Sequence, residues 1–354
     1  MLEAALAAVL RDQAQDSGAL WRILSRELGL PAATISTAHG GMGGGAAETW
    51  VIMESLGRAP GWTPYLSSVV LGAGALRHAG GILAERLLPR VATGDLQLAF
   101  AYLEEGRRNA IKPLKVTATR ADGGHILHGK KTGVLGLGDA EMIIVSACSD
   151  NGGVSLFTVD ARSLGLSISL YPTLDGDCGG DVTFTDVFVP EDAVTGPPGA
   201  ALPLLELVID EATIALCAAA CGTMRTLVDS TVAYCRERRQ FGKAIAEFQV
   251  IQHRLVDMHV AAEQAVGITQ VGLAKLDAAP AERMEAVSGA KVLVSQACRA
   301  VAQGAVQLHG GIGTTEELVI SRYFKRALMM ENLFGNAAFH LHRYQQASAE
   351  RTSQ

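Results

Sequence analysis

Twice along the chain the residue character changes, and this constrains the fold most. Over residues 96–196 the sequence breaks into short β-branched or alternating runs: Leu98-Ala-Phe-Ala-Tyr102, Lys115-Val-Thr-Ala-Thr119, His125-Ile-Leu-His128, Met142-Ile-Ile-Val-Ser-Ala147, Val154-Ser-Leu-Phe-Thr-Val159 and Asp181-Val-Thr-Phe-Thr-Asp186. Asp122-Gly-Gly124, Asn151-Gly-Gly153 and Asp175-Gly176 separate them as turns. Strands of this kind predict an antiparallel barrel or sandwich. Both flanks read as helix. Before the strands come Ala4–Leu10, Trp50–Gly57 and Leu83–Leu88, with Gly57 and Pro89 as stops. After Pro197-Pro198-Gly199 come Leu202–Arg236, Phe248–Leu276, Arg283–Leu308 and a last segment from Glu316, joined by short loops that favour antiparallel neighbours in a bundle. The expected fold is α+β: an N-terminal helical domain (1–95), a middle β-barrel domain (96–196) and a C-terminal four-helix bundle (197–354). With 49% hydrophobic and 19% charged residues the chain can bury a core, so general disorder is excluded.

Other function classes fall away on charge and motif. The net charge is −6 and no basic stripe is present, which argues against nucleic acid. None of Cys148, Cys178, Cys217, Cys221, Cys235 and Cys298 forms a C-x-x-C pair, and the histidines are scattered, so no metal site is expected. Cys217 and Cys221 share a helix face as small buried hydrophobes. The N-terminus lacks the basic region of a signal peptide, and no apolar run reaches membrane-spanning length. A cytoplasmic protein with reduced thiols is the expectation.

Gly41-Met-Gly-Gly-Gly-Ala46 spells the dinucleotide fingerprint G-x-G-x-x-A. That fingerprint needs a strand before it and a βαβ unit around it. Thr34–His39 is a poor strand and helix follows, so a flexible interhelix loop is expected. Two later segments carry more. In Arg238-Arg-Gln-Phe241-Gly242-Lys-Ala-Ile245-Ala-Glu-Phe248-Gln249, Arg236, Arg238 and Arg239 end one helix, Gly242 breaks it, and Phe248 and Gln249 begin the next. A guanidinium at such a turn suits a pyrophosphate. It equally suits the negative end of a helix dipole, and the residues alone leave both readings open. In Gln307-Leu308-His-Gly310-Gly311-Ile-Gly313, a long helix ends at glycines that leave backbone open to a ligand, or simply cap it.

Together these segments resemble the two FAD-binding signatures of the acyl-CoA dehydrogenase family, R-x-x-F-G-x-x-I-x-x-F-Q and Q-x-x-G-G-x-G. The three-part layout is similar over nearly the whole chain. So are Gly40-Gly41-Met-Gly43, Leu88-Pro89-Arg-Val-Ala-Thr-Gly94 and Val187-Phe-Val-Pro190. The resemblance implies FAD, with Arg238 on the pyrophosphate, Phe241, Gly242, Phe248 and Gln249 shaping the nucleotide pocket, and Gln307, Leu308, Gly310 and Gly311 towards the adenosine. It also implies an acyl-CoA substrate whose α-proton goes to a carboxylate while the β-hydrogen leaves as hydride to the flavin. The family stabilises the developing enolate by hydrogen bonds to the thioester carbonyl.

The residues depart from the family where that chemistry is done. The usual Glu of the base motif falls on Phe334 in Leu333-Phe334-Gly335-Asn336, and Phe accepts no proton. Some relatives carry the Glu earlier; that position is Ala212, followed by Thr213. Glu211 lies about 100° away on the helix, and Glu331 stands three residues before Phe334. These two are the displaced-base candidates, and no catalytic residue is assigned. On the flavin-ring side, Leu103-Glu104-Glu105-Gly-Arg-Arg-Asn109 replaces the usual Thr-Glu-Pro stretch, and Thr132-Gly133-Val134-Leu135 lacks the usual hydroxyl contact.

In this family each FAD spans two protomers, so a chain keeping only the lent half resembles the small subunit of a heteromeric bacterial enzyme of the pimeloyl-CoA or steroid side-chain type. Ala215-Leu-Cys-Ala-Ala-Ala220 and Lys130-Lys-Thr-Gly-Val-Leu-Gly136 look closest to that branch. The implied assembly is α2β2 with a larger, base-bearing subunit, passing electrons to an electron-transfer flavoprotein. A self-sufficient homo-oligomeric dehydrogenase, a same-fold flavin oxidase or monooxygenase and a flavin-free scaffold subunit are the alternatives.

Overall fold

The computed structural model describes residues 17–352 apart from 62, 107, 108, 113, 114, 151 and 316. The expected helix over Ala4–Leu10 lies outside the described residues. Tertiary contacts gather the chain into two units, one from Asp16–Thr49 and Thr63–Ala212, the other from Trp50–Trp62 and Thr213–Gln354.

The first unit opens with α1 (Ser17–Arg22) and short 3-10 turns, and α2 (Ala46–Gly57) begins in it. The glycine loop before α2 is tightly bonded. The amides of Gly41, Met42, Gly43 and Gly44 donate to the carbonyls of Ser36, Ala32, Ile35 and Ala33 at 2.8–2.9 Å. A Cβ on Gly41 would stand 2.0 Å from the Ile35 carbonyl oxygen. A turn of 3-10 helix precedes the loop, so the dinucleotide spelling has no strand to open it. A π-helical stretch, Tyr65–Ala73, runs into α3 (Gly74–Ala79) and packs against β1. Gly72 permits that approach, since a Cβ there would meet Leu98 Cβ at 2.5 Å. α4 (Gly81–Ala92) continues through Pro89, which the sequence suggested as a stop. Proline removes one helical bond, but Leu87, Leu88 and Val91 are buried on the inner face and hold the last turn.

The sheet comprises β1 (Leu98–Ala101), β2 (Thr117–Ala121), β3 (Gly124–Leu135), β4 (Met142–Ser149), β5 (Val154–Asp160), β6 (Leu166–Pro172), β7 (Cys178–Pro190) and β8 (Val194–Thr195). The pairing order is β6-β7-β3-β2-β4-β5-β8, with β1 on β4. Its interior is one apolar cluster that includes Val116, Leu127, Ile143, Phe157, Val182 and Phe184. Asp122-Gly123 makes the two-residue turn between β2 and β3, as its sequence predicts. The all-antiparallel expectation is corrected at two places: β1 and β2 both pair with β4 in parallel. β6 and β8 are absent from the strands read in the sequence. β6 is an edge strand with mostly exposed residues, so its Leu-Ser-Ile-Ser pattern lacks a buried face to advertise.

The helical region holds α5 (Leu202–Glu237), which starts in the first unit and belongs to the second from Thr213 on, then α6 (Gln249–Ala274), α7 (Pro280–His309), α8 (Val319–Asn332) and α9 (Ala337–Thr352). The expected single last segment is two helices. They break at Leu333–Asn336, where Phe334 and Gly335 take φ of +58° and +108°. In the second unit α2 and α5 meet backbone to backbone: a Cβ on Gly57 would lie 2.0 Å from the Ala219 carbonyl oxygen, and one on Gly222 2.0 Å from that of Glu54. Buried Glu54 takes Arg225 at 2.7 Å and Arg58 at 3.0 Å. No described helix is long and apolar enough to cross a membrane.

Candidate functional site

At the end of α5 the chain forms a two-residue β-hairpin, β9 (Arg239–Gln240) and β10 (Lys243–Ala244), with Gln240 paired to Lys243. Phe241 and Gly242 are its turn, with φ of +53° and +83°. Left-handed backbone at both positions is the primed turn that matches strand twist. It is unfavourable for Phe, by about 1–2 kcal/mol. The Phe241 ring is 90% exposed and meets Phe248 edge-on at 6.2 Å, while Lys243 Nζ lies 4.3 Å from the Phe248 ring centre. Arg238 is exposed; its carbonyl accepts the Ile245 amide at 2.9 Å, closing the loop behind it. Phe248 caps α6 and Gln249, exposed, is the first helical residue.

α7 ends at His309, and Gly310 (φ +67°) turns the chain into the 3-10 segment Gly310–Thr314. Gln307, Gly310 and Gly311 are exposed and Leu308 is buried. A Cβ on Gly242, Gly310 or Gly311 would meet nothing within 4 Å, whereas one on Gly313 would strike the Val306 carbonyl oxygen at 2.9 Å. Gly313 therefore serves packing, and the other three leave backbone open.

Two residues that the sequence gave no reason to single out bring these segments together. Tyr234, one turn before Arg238, stacks on His309 with ring centres 4.3 Å apart and planes at 25°. Its hydroxyl donates to the His309 carbonyl at 3.3 Å. The arginine turn and the glycine turn thus sit at one end of the helical region. Neither spacing nor periodicity announces a contact between residues so distant in sequence.

The remaining candidates have partners of their own. Phe334 is buried, and its carbonyl accepts from His340 Nε2 at 2.9 Å. Glu331 pairs with Arg299, whose Nε donates at 2.8 Å. Glu211 is held by Arg77 at 2.8 Å and His78 at 2.7 Å. Glu104, in the ring-side stretch, is consumed internally: it accepts the Lys115 and Val116 amides at 3.0 Å and Lys131 Nζ at 2.9 Å. Burial pulls Lys131 down to about 8 against the opposing pull of Glu104. At Thr132–Leu135 the Gly133 amide faces Tyr171 Oη at 3.2 Å and Asp181 Oδ1 at 3.3 Å. Lys130 pairs with Asp181 at 2.7 Å. The Gly133 backbone donor is thus engaged by the protein's own side chains. The described residues contain no cluster suited to a metal ion.

A helical start, a middle sheet and a helical end carrying the paired arginine and glycine turns define a dehydrogenase-type architecture. The acyl-CoA dehydrogenase N-terminal domain model matches residues 3–95 and the C-terminal domain model residues 204–348, so the chain belongs to the acyl-CoA dehydrogenase family. It is similar to the mitochondrial isovaleryl-CoA dehydrogenase of Arabidopsis thaliana, at 27% identity over 328 residues covering 88% of this chain and 78% of the relative. Among solved structures it resembles a variant of the Tcur3481-Tcur3483 steroid ACAD, at 29% identity and TM-score 0.87 over 99% of this chain and 94% of that one. It also resembles the ChsE4-ChsE5 complex of Mycobacterium tuberculosis, at 25% identity and TM-score 0.89 over 99% and 96%.

Proposed function

We propose that this chain is the FAD-lending, base-less subunit of an α2β2 acyl-CoA dehydrogenase. Its partner would hold the flavin ring, the acyl-CoA and the proton-abstracting carboxylate, and the complex would desaturate Cα–Cβ and reduce an electron-transfer flavoprotein. The observation that carries the reading is an asymmetry. The arginine turn and open glycines form a coherent end of the helical region, while buried Phe334 occupies the base position. Glu211 and Glu331, the two displaced-base candidates, are already in ion pairs. The ring-side amide of Gly133 is engaged by Tyr171 and Asp181.

The donor set at the arginine turn fits a dinucleotide diphosphate. Arg238, with Arg236 and Arg239 beside it, offers an exposed permanent cation, and guanidinium suits phosphate by paired N–H donors. Phe241 and Phe248 form an apolar wall, and Gln249 and Gln307 supply exposed amides. Gly310 and Gly311 permit close backbone approach because no Cβ intervenes. When bound, FAD would supply the hydride acceptor. This chain's residues would bind and orient its nucleotide end, and abstraction of the proton would fall to the partner.

Co-expression with an acyl-CoA dehydrogenase partner and flavin counting test the reading. Arg238→Ala should lower the flavin content of the complex at least tenfold in affinity, the scale of a lost charge-assisted pair of about 1.5–3 kcal/mol. Unchanged occupancy would remove the assignment. Yellow, active protein from this chain alone would favour a self-sufficient dehydrogenase instead.

A further inference from the structure

Well before the turns that end α5 and α7, a small pocket between α5, α7 and α8 is lined by Cys217, Lys291, Ser295, Cys298, Met330 and Glu331. Lys291 is 2% exposed and, among the described residues, forms no ion pair with a carboxylate. Its Nζ donates to the backbone carbonyls of Met330 and Glu331, at the C-terminal turn of α8. The Glu331 carboxylate turns away to Arg299. Ser295 Oγ, on the same helix as Lys291, is buried and has no hydrogen-bond partner. The pocket therefore combines an amine, two thiols and an idle hydroxyl.

We propose that this pocket is an oxidative modification site, in which peroxide joins Cys217 to Lys291 through a sulfenamide bond. In the first step hydrogen peroxide oxidises Cys217 Sγ–H to Sγ–OH; the O–O bond breaks and one water leaves. Ser295 Oγ is the group available to hydrogen-bond the new sulfenic oxygen. In the second step the deprotonated Lys291 amine attacks Sγ, the S–O bond breaks, and hydroxide departs with an amine proton as a second water. The sulfur loses two electrons and the peroxide gains them. Sulfenic acids condense with nitrogen in this way and thiols reverse the bond.

Two observations favour Cys217 over Cys298 as the partner. Cys217 lies on α5, across the pocket from Lys291 on α7, whereas Cys298 is on Lys291's own helix and C-terminal to it, away from the direction in which helical side chains lean. Burial pushes both thiols up, Cys217 to about 11 and Cys298 to about 12, with Lys291 the opposing charge at each, so Cys217 is the less suppressed of the two. Burial likewise lowers Lys291, which favours the free amine. The bond would staple α5 to α7, the helices that end in the arginine turn and the glycine turn. Only that consequence rests on the proposed nucleotide reading.

The test uses the purified full chain and counts thiols on its own peptides, with Cys148→Ser and Cys178→Ser removing the two half-buried thiols and leaving four. After hydrogen peroxide and denaturation, alkylatable thiols should fall from four to three, with a dithiothreitol-reversible cross-linked peptide pairing Cys217 and Lys291 and lighter by two hydrogens. Lys291→Arg and Cys217→Ala should each abolish the cross-link, with circular dichroism reporting the fold, and Cys298→Ser should retain it. A fall to two thiols with a Cys217–Cys298 disulfide would overturn the proposal. So would oxygenated Cys217 without a cross-link, a bridge containing an added oxygen, or no reaction in the folded wild-type pocket. None of these readouts depends on flavin, so failure here is distinct from failure of the subunit assignment.

Discussion

Residue identity at the α8–α9 break ties stability to pH. His340 is buried, donates Nε2–H to the Phe334 carbonyl, and faces Ser288, Lys291 and Arg343. Burial is the largest cause that depresses it from 6.5 to about 3; the two nearby cations act in the same direction. Between those values the unfolded chain takes a proton that the folded chain refuses. Stability contributed by neutral His340 is therefore full above 6.5 and drains as pH falls towards 3, by up to about 1.4 kcal/mol per pH unit. Urea unfolding at neutral pH and about pH 5 should show this loss, and His340→Gln should flatten its slope; equal slopes would refute the role. That Leu333-Phe334-Gly335-Asn336 carries no carboxylate was legible in sequence. The buried, left-handed setting of Phe334 was not, because a positive φ in a bulky residue is imposed by its surroundings.

At the scale of elements, glycines divide into those that helix contact requires and those that it does not. Gly222→Ala should push α2 from α5, because the added Cβ would lie 2.0 Å from the Glu54 carbonyl oxygen. A loss of about 1–3 kcal/mol or more is expected in denaturant unfolding. Gly267, in the middle of α6, has nothing within 4 Å of an added Cβ and ordinary backbone. Gly267→Ala should instead gain roughly 0.5–1 kcal/mol of helix stability. Similar midpoints for the two variants would mean that the close approach costs nothing. Helix periodicity made α5, α6 and α7 readable, and alternation made most strands readable. The edge strand β6 and the parallel partners of β4 were not, since pairing direction depends on which strand arrives alongside.

For the whole molecule, the proposal that this chain offers only the nucleotide-binding half of a shared site predicts stoichiometry. The complex should hold one FAD for every two chains, measured by flavin absorbance against protein mass. One FAD per chain would mean that this subunit keeps a ring site of its own. Glu104, Asp181 and Tyr171 are the residues that such a result would have to displace. The sequence determined the three-part layout, the two signatures and the lack of a carboxylate in Leu333–Asn336, because these rest on local periodicity, turn chemistry and residue type. Only the tertiary structure decided that Tyr234 stacks on His309, that Gly133 is already engaged, and that Lys291 lies among thiols. Those contacts join residues far apart along the chain, where local preference carries no information and packing alone selects the neighbour.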